Sequence, residues 1–138
     1  MENLKSGHGA LQIWDKAAIL SSPLELKAWL LVMACSFLGG LFFIKKNLGA
    51  KMVIICVFSG LGFTKLIAPL IEITVFSGLV ALTHVLLWPA ALVFLFKDAI
   101  SGRGIYKYWS IWVSGVMLAS LVFDVRDAYI YLRYIFGI

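Results

Sequence analysis

The chain has 138 residues, of which 62% are hydrophobic and 14% charged, with a formal net charge of +5. Together with a mean hydropathy of +0.99, this excludes an ordinary soluble domain, which needs far less apolar surface to build its core. The composition also argues against nucleic acid as a partner, because no soluble basic surface is present to hold it. The excess of lysine and arginine reads instead as loop bias and attraction to anionic lipid.

Residues 1–24 lack the basic start, short apolar core and small-residue cleavage site of a secretory signal, so they are expected to stay in the mature chain. Leu11, Trp14, Ala18 and Leu20 interleave with Asp15 and Lys16, which predicts either a short interfacial helix or a solvated tail. Ser22, Pro23 and Glu25 then mark a helix start, with Ser22 as cap, Pro23 in the first turn and Glu25 closing a capping box.

Four apolar runs follow, at Leu26–Ile44, Met52 to about Ile67, Leu70–Phe96 and Tyr108–Phe123. A hydrocarbon core of roughly 30 Å needs about 20 helical residues to cross, and each run approaches that length once interfacial residues are included. As one helix, Met52–Phe96 would reach about 67 Å, so the chain must turn back on itself within it. Lys65, Pro69 and Glu72 interrupt the hydrophobicity, and the turn is expected at residues 66–72 because proline breaks the helix before it. The spans are thus predicted at about 25–44, 51–67, 70–96 and 107–123, within a transmembrane domain at 25–123. The predicted fold is all-α, a polytopic membrane protein with an antiparallel four-transmembrane-helix bundle. An N-terminal interfacial segment precedes it at 1–24, and an amphipathic C-terminal helix follows at 124–138.

Cation density sets the expected orientation. The loops 45–51 and 97–107 hold Lys45, Lys46, Lys51, Lys97, Arg103 and Lys107 in a short length and are assigned to the cytoplasm, with both termini outside. Trp29, Trp88, Tyr106, Tyr108, Trp109 and Trp112 fall near span ends and read as headgroup anchors. The basic inner loops and compact spans lean toward a bacterial inner membrane. Cys35 and Cys56 lie in different spans at different depths, and no Cys/His cluster suggests a metal.

Small residues mark close helix contacts, since lipid supplies no hydrophobic drive between helices. Gly39, Gly40, Ser59, Gly60, Gly78 and Gly115 are the helix-packing candidates; they hold the bundle together or form a dimer seam. Val-Phe-Ser-Gly-Leu occurs at both 57–61 and 75–79, which low-complexity apolar sequence produces by chance more readily than duplication does.

Polar groups within the membrane are where function is sought, because each is costly unless paired or wet. His84 with Thr83 is placed near mid-depth, and Pro89 deprives the Val85 carbonyl of its helical donor beside it. A proton relay, a substrate contact and a structural hydrogen bond are all open to such a histidine; a haem ligand ranks last, since His8 and His84 cannot supply two deep axial histidines, and Ser114 is a candidate neighbour. Lys65 and Glu72 either snorkel to the outer interface or form a buried pair at an entrance. In the C-terminal helix, Asp124, Asp127, Tyr131 and Tyr134 share a polar face bordered by Arg126 and Arg133, suited to interfacial anchoring or to a protein partner. Val125, Ala128, Tyr129, Leu132, Ile135 and Phe136 form its apolar face.

The stretch Gly60–Leu66, Gly-Leu-Gly-Phe-Thr-Lys-Leu, is similar to a glycine-to-Lys-Leu element of DoxX-like membrane proteins. The loop and acidic residue that should follow do not match, and no role is carried over from it. No Walker loop, dinucleotide fingerprint, HExxH or nucleophile elbow is present, no catalytic residue, cofactor or metal is expected, and an enzyme ranks behind the other classes. The leading expectation is a non-enzymatic accessory, assembly or inhibitory (immunity-type) subunit of a larger membrane system. A homo-oligomeric small transporter or channel using His84 comes next, and a membrane redox or lipid-modifying enzyme third. The expected partners are the lipid bilayer and either another membrane protein or a second copy of the chain.

Overall fold

A computed structural model describes residues 9–138, so the first eight residues of the expected interfacial segment lie outside the described residues. The described chain is helical throughout its spans: α1 at Lys16–Ser21, α2 at Leu24–Gly39, α3 at Leu48–Gly62, α4 at Ala68–Leu70, α5 at Ser77–Ser101 and α6 at Gly104–Phe136. Four helical stretches are long and apolar enough to cross a membrane, namely Leu24–Phe42, Leu48–Leu70, Ser77–Ser101 and Gly104–Phe136.

The N-terminal segment forms α1 and does more than lie on a surface. Asp15 caps α1 by accepting the Ala18 N–H at 2.8 Å. Upstream, the chain pairs with the segment entering α5: Trp14 N–H donates to the Val75 carbonyl at 2.8 Å, and the N–H groups of Ser77 and Gly78 donate to the carbonyls of Gln12 and Ala10 at 2.8 and 2.7 Å. The first turn of a helix has N–H groups without internal partners, and here residues 10–12 supply their acceptors. The capping box expected at Ser22 does not form. The Ser22 hydroxyl donates instead to the Ala18 carbonyl at 2.7 Å, and α2 starts without a side-chain cap.

A 3-10 turn at Gly40–Phe42 extends α2, and a π turn at Phe63–Ile67 joins α3 to α4. The π turn has a local cause: Pro69 has no N–H to offer the Lys65 carbonyl, and the Thr64 hydroxyl donates to the Gly60 carbonyl at 3.0 Å. The reversal starts at Ile71 and Glu72, at the end of the expected 66–72, and runs on to residue 76. Ile73 N–H bonds to the Ala68 carbonyl at 2.8 Å and Glu72 N–H to the Pro69 carbonyl at 3.2 Å, a Schellman closure. Glu72 occupies its left-handed position at φ +59°, where glycine is usual.

Helix α5 packs most extensively against α6 and next against α3, while α2 meets α6 and touches α3 more sparsely. Phe37, Val53, Cys56, Trp88, Leu92, Leu95, Val113 and Met117 form the core where these helices meet. Trp88, expected as a headgroup anchor, is 2% exposed and packs edge-on against Phe37 with centroids 5.4 Å apart. Trp109 and Trp112 bind α2: their indole N–H groups donate to the Ser36 carbonyl at 3.0 Å and the Ser36 hydroxyl at 2.8 Å. Gly39 and Gly40 leave room for Trp109, whose ring atoms stand 3.1 and 2.9 Å from where their β-carbons would be.

The C-terminal segment at 124–138 continues the fourth apolar helix in one unbroken α6 rather than bending away from it. Of its expected apolar face, Val125, Tyr129, Ile135 and Phe136 are exposed and Ala128 is buried; of its expected polar face, Tyr131 is buried, Asp124 and Asp127 turn inward, and Arg126, Arg133 and Tyr134 are exposed.

Candidate functional site

A cavity of about 670 Å³ lies between α2, α5, α6 and the N-terminal segment. Each helix contributes one stripe at helical spacing: Glu25, Leu26, Trp29 and Met33 from α2, Ser77, Ala81 and His84 from α5, and Ser120, Phe123, Asp124 and Asp127 from α6. Gln12 and Trp14 close one end. The pairing of residues 10–14 with 75–78 holds the backbone carrying them against the start of α5, and Gly78 is the close-contact point. A β-carbon there would stand 2.8 Å from the Ala10 carbonyl and 2.9 Å from that of Asp127, so only glycine lets α5, α6 and the N-terminal segment converge.

At the wall of the cavity, His84 Nδ1 lies 2.9 Å from Asp124 Oδ2, with the two side chains 20% and 16% exposed. With the carboxylate ionised, Nδ1–H is the donor, which leaves Nε2 without a fixed role. The Ser120 hydroxyl donates to the same Oδ2 at 3.1 Å. On its other side the imidazole stacks on Trp88, one helical turn along α5, with centroids 4.0 Å apart and 20° between the planes. His84 is therefore held between an indole and a carboxylate. Because Ser120 bonds the carboxylate rather than the imidazole, the trio does not have the order of a hydrolase triad.

The position of His84 along its helix differs from the count, twelfth of the 24 residues at 73–96, that places it near mid-depth. Residues 73–76 are not helical, so α5 begins at Ser77 and His84 is its eighth residue, about 10 Å along the axis rather than at the middle. Thr83 faces α3, with its Oγ1 3.5 Å from where a Gly60 β-carbon would be and its hydroxyl donating to the Val80 carbonyl at 2.7 Å. Ser114 is buried away from the cavity and donates to the Ser110 carbonyl at 2.7 Å. Lys65 and Glu72 are exposed, and no ion pair joins them among the described residues.

Of the residues assigned to a partner-facing helix, Asp124 and Asp127 line the cavity instead. Tyr131 is buried with its ring 6.2 Å from Phe76, and Tyr134 meets Phe76 edge-on at 5.8 Å. Arg126 and Arg133 are exposed, and Arg133 Nε–H donates to the Ile138 carbonyl at 3.0 Å. Among the small residues, Ser59 is exposed and Gly115 has no neighbour within 4 Å of a β-carbon, so neither contributes to packing within the chain.

Sequence alone does not single out Ser120 and Gln12, and it marks Glu25 and Trp29 as part of a capping box and as a headgroup anchor rather than as cavity residues. The available signal was the Ser120–Asp124 spacing of four residues, which places both on the face carrying Asp127. Among the described residues, no group of three or more His, Cys, Asp or Glu side chains converges as a metal site would require. No protein-family model, curated protein or solved structure matches the chain.

Proposed function

We propose that this chain is a small membrane transport protein, acting as a homo-oligomer, in which His84 and Asp124 form the proton-exchanging element of a ligand pathway. The observation that carries the reading is the 2.9 Å contact between an imidazole and a carboxylate on the wall of a cavity shared by three membrane-length helices. Ionisable groups within a span are expensive, and their usual return is proton or substrate movement. Oligomerisation follows from the sparse packing of α2, which walls the cavity on one side while touching few other helices. The arrangement in the membrane is an antiparallel bundle of the bacterial inner-membrane kind, with loops 45–51 and 97–107 cytoplasmic and both termini outside, supported by the cation density of those loops. In liposomes enclosing a pH-sensitive dye, wild-type protein is expected to give pH-dependent flux that His84→Gln abolishes. Unchanged flux in that variant would remove His84 from the pathway.

A second reading, an accessory or inhibitory subunit of another membrane protein, rests on Gly62 and Gly115. Each has an open face with nothing within 4 Å, the kind of notch a partner helix fills. Native mass spectrometry of protein extracted in mild detergent separates the two: a homo-oligomer supports transport, and stoichiometric retention of a different membrane protein supports the accessory role.

A further inference from the structure

We infer that the cavity takes an amphiphilic organic cation, meaning a quaternary or protonated onium group carried on an apolar body; the inference rests on the transport reading and specifies its ligand. Three carboxylates, Glu25, Asp124 and Asp127, face the cavity against a single imidazole, His84, and among the described residues no lysine or arginine lines it. With His84 neutral the lining carries three acidic groups, and with His84 protonated it still carries an acidic excess. An apolar-walled site with that balance attracts a cation and repels an anion.

The carboxylates are distributed over α2 and α6 and do not converge with His84 as metal ligands would. A compact metal ion could not satisfy them together, whereas a bulky cation with diffuse charge can lie among them. Trp14 and Trp29 face the same space, and an indole face attracts an onium group by its quadrupole, most strongly where water is scarce. The volume, about 670 Å³, falls in the range of drug-sized ligands. Asp124 has a further part: both His84 and Ser120 bond to its Oδ2, and among the described residues no donor occupies Oδ1.

The test is equilibrium dialysis of the full chain in mild detergent with tetraphenylphosphonium and with tetraphenylborate, which share a shape and differ in the sign of their charge. Saturable binding of the phosphonium alone is expected, beyond its partition into protein-free micelles. Asp124→Asn combined with Asp127→Asn is expected to weaken it by at least about tenfold, and Glu25→Gln alone, at an exposed position of the rim, by about threefold. If the double variant does not fold, the Glu25→Gln result decides. Equal binding of both ions, no saturable binding of either, or wild-type affinity in folded variants overturns the proposal. Proton flux that persists without phosphonium binding discards the ligand class and leaves the transport reading. Phosphonium binding without flux does the reverse.

Discussion

Asp98 Oδ2 accepts the backbone N–H of Gly49 at 3.1 Å, so a carboxylate near the end of α5 caps the first turn of α3 from another part of the chain. The Tyr106 hydroxyl donates to the same oxygen, and the Gly102 N–H closes the end of α5 by donating to the Asp98 carbonyl at 2.6 Å. One side chain thus joins α3, α5 and α6 at the lysine-rich end, opposite the cavity. In the sequence Asp98 is the single acid of the cation-rich loop 97–107, and its role depends on partners 49 and eight residues away.

Removing this junction has a measurable cost. Asp98→Ala is expected to destabilise the protein by about 2 kcal/mol, since a charge-assisted acceptor for buried donors is lost. Gly49→Ala should cost about 1–3 kcal/mol because its β-carbon would overlap the Asp98 carboxylate and stand 2.8 Å from the Tyr106 hydroxyl. The two costs should be less than additive in the double variant, because the clash disappears with the carboxylate. Denaturation followed by tryptophan fluorescence in detergent measures all three; strict additivity would separate Gly49 from the junction.

Glycines that look alike in the sequence differ in what they face. Gly40→Ala and Gly78→Ala should each cost about 1–3 kcal/mol, the first by displacing Trp109 and the second by separating α5 from Tyr131 and the Asp127 carbonyl. Gly115→Ala meets nothing and should be neutral or stabilise by up to about 1 kcal/mol through helix propensity. Thermal unfolding of the three variants checks the order. Destabilisation or loss of assembly in Gly115→Ala would instead reveal a partner on that face.

Glu72→Gly tests the turn after α4. A glutamate at φ +59° holds a conformation that costs an L-residue about 1 kcal/mol and glycine nothing. The substitution is expected to raise stability by about 0.5–1 kcal/mol with flux unchanged, as Glu72 lies outside the cavity. Lost flux would return Glu72 to the pathway.

The four spans were legible because length and hydropathy suffice to mark membrane helices. What one residue's position cannot show is the direction in which its side chain points. Trp88, Trp109 and Trp112 have the composition and placement of interfacial anchors, yet one fills the core and two bond to Ser36. Asp124 and Asp127 fell on a polar face that, for a helix lying on a surface, would point outward; the packing of α6 against α5 turns both inward, which brings Asp124 to His84. Each of those two residues was legible as unusual. The pairing of Asp124 with His84 was not, since it depends on the α5–α6 register and on an α5 start set by the extended segment at residues 10–14.

The most direct test of the account is nitrogen-15 NMR of the His84 imidazole in full-length protein in nanodiscs, assigned by comparison with His84→Gln. The account predicts an Nδ1 proton with the shift of a bond to a carboxylate, and a clear change in that resonance in Asp124→Asn. Identical imidazole spectra in the wild type and Asp124→Asn would contradict the pairing, and with it the proton-exchanging site.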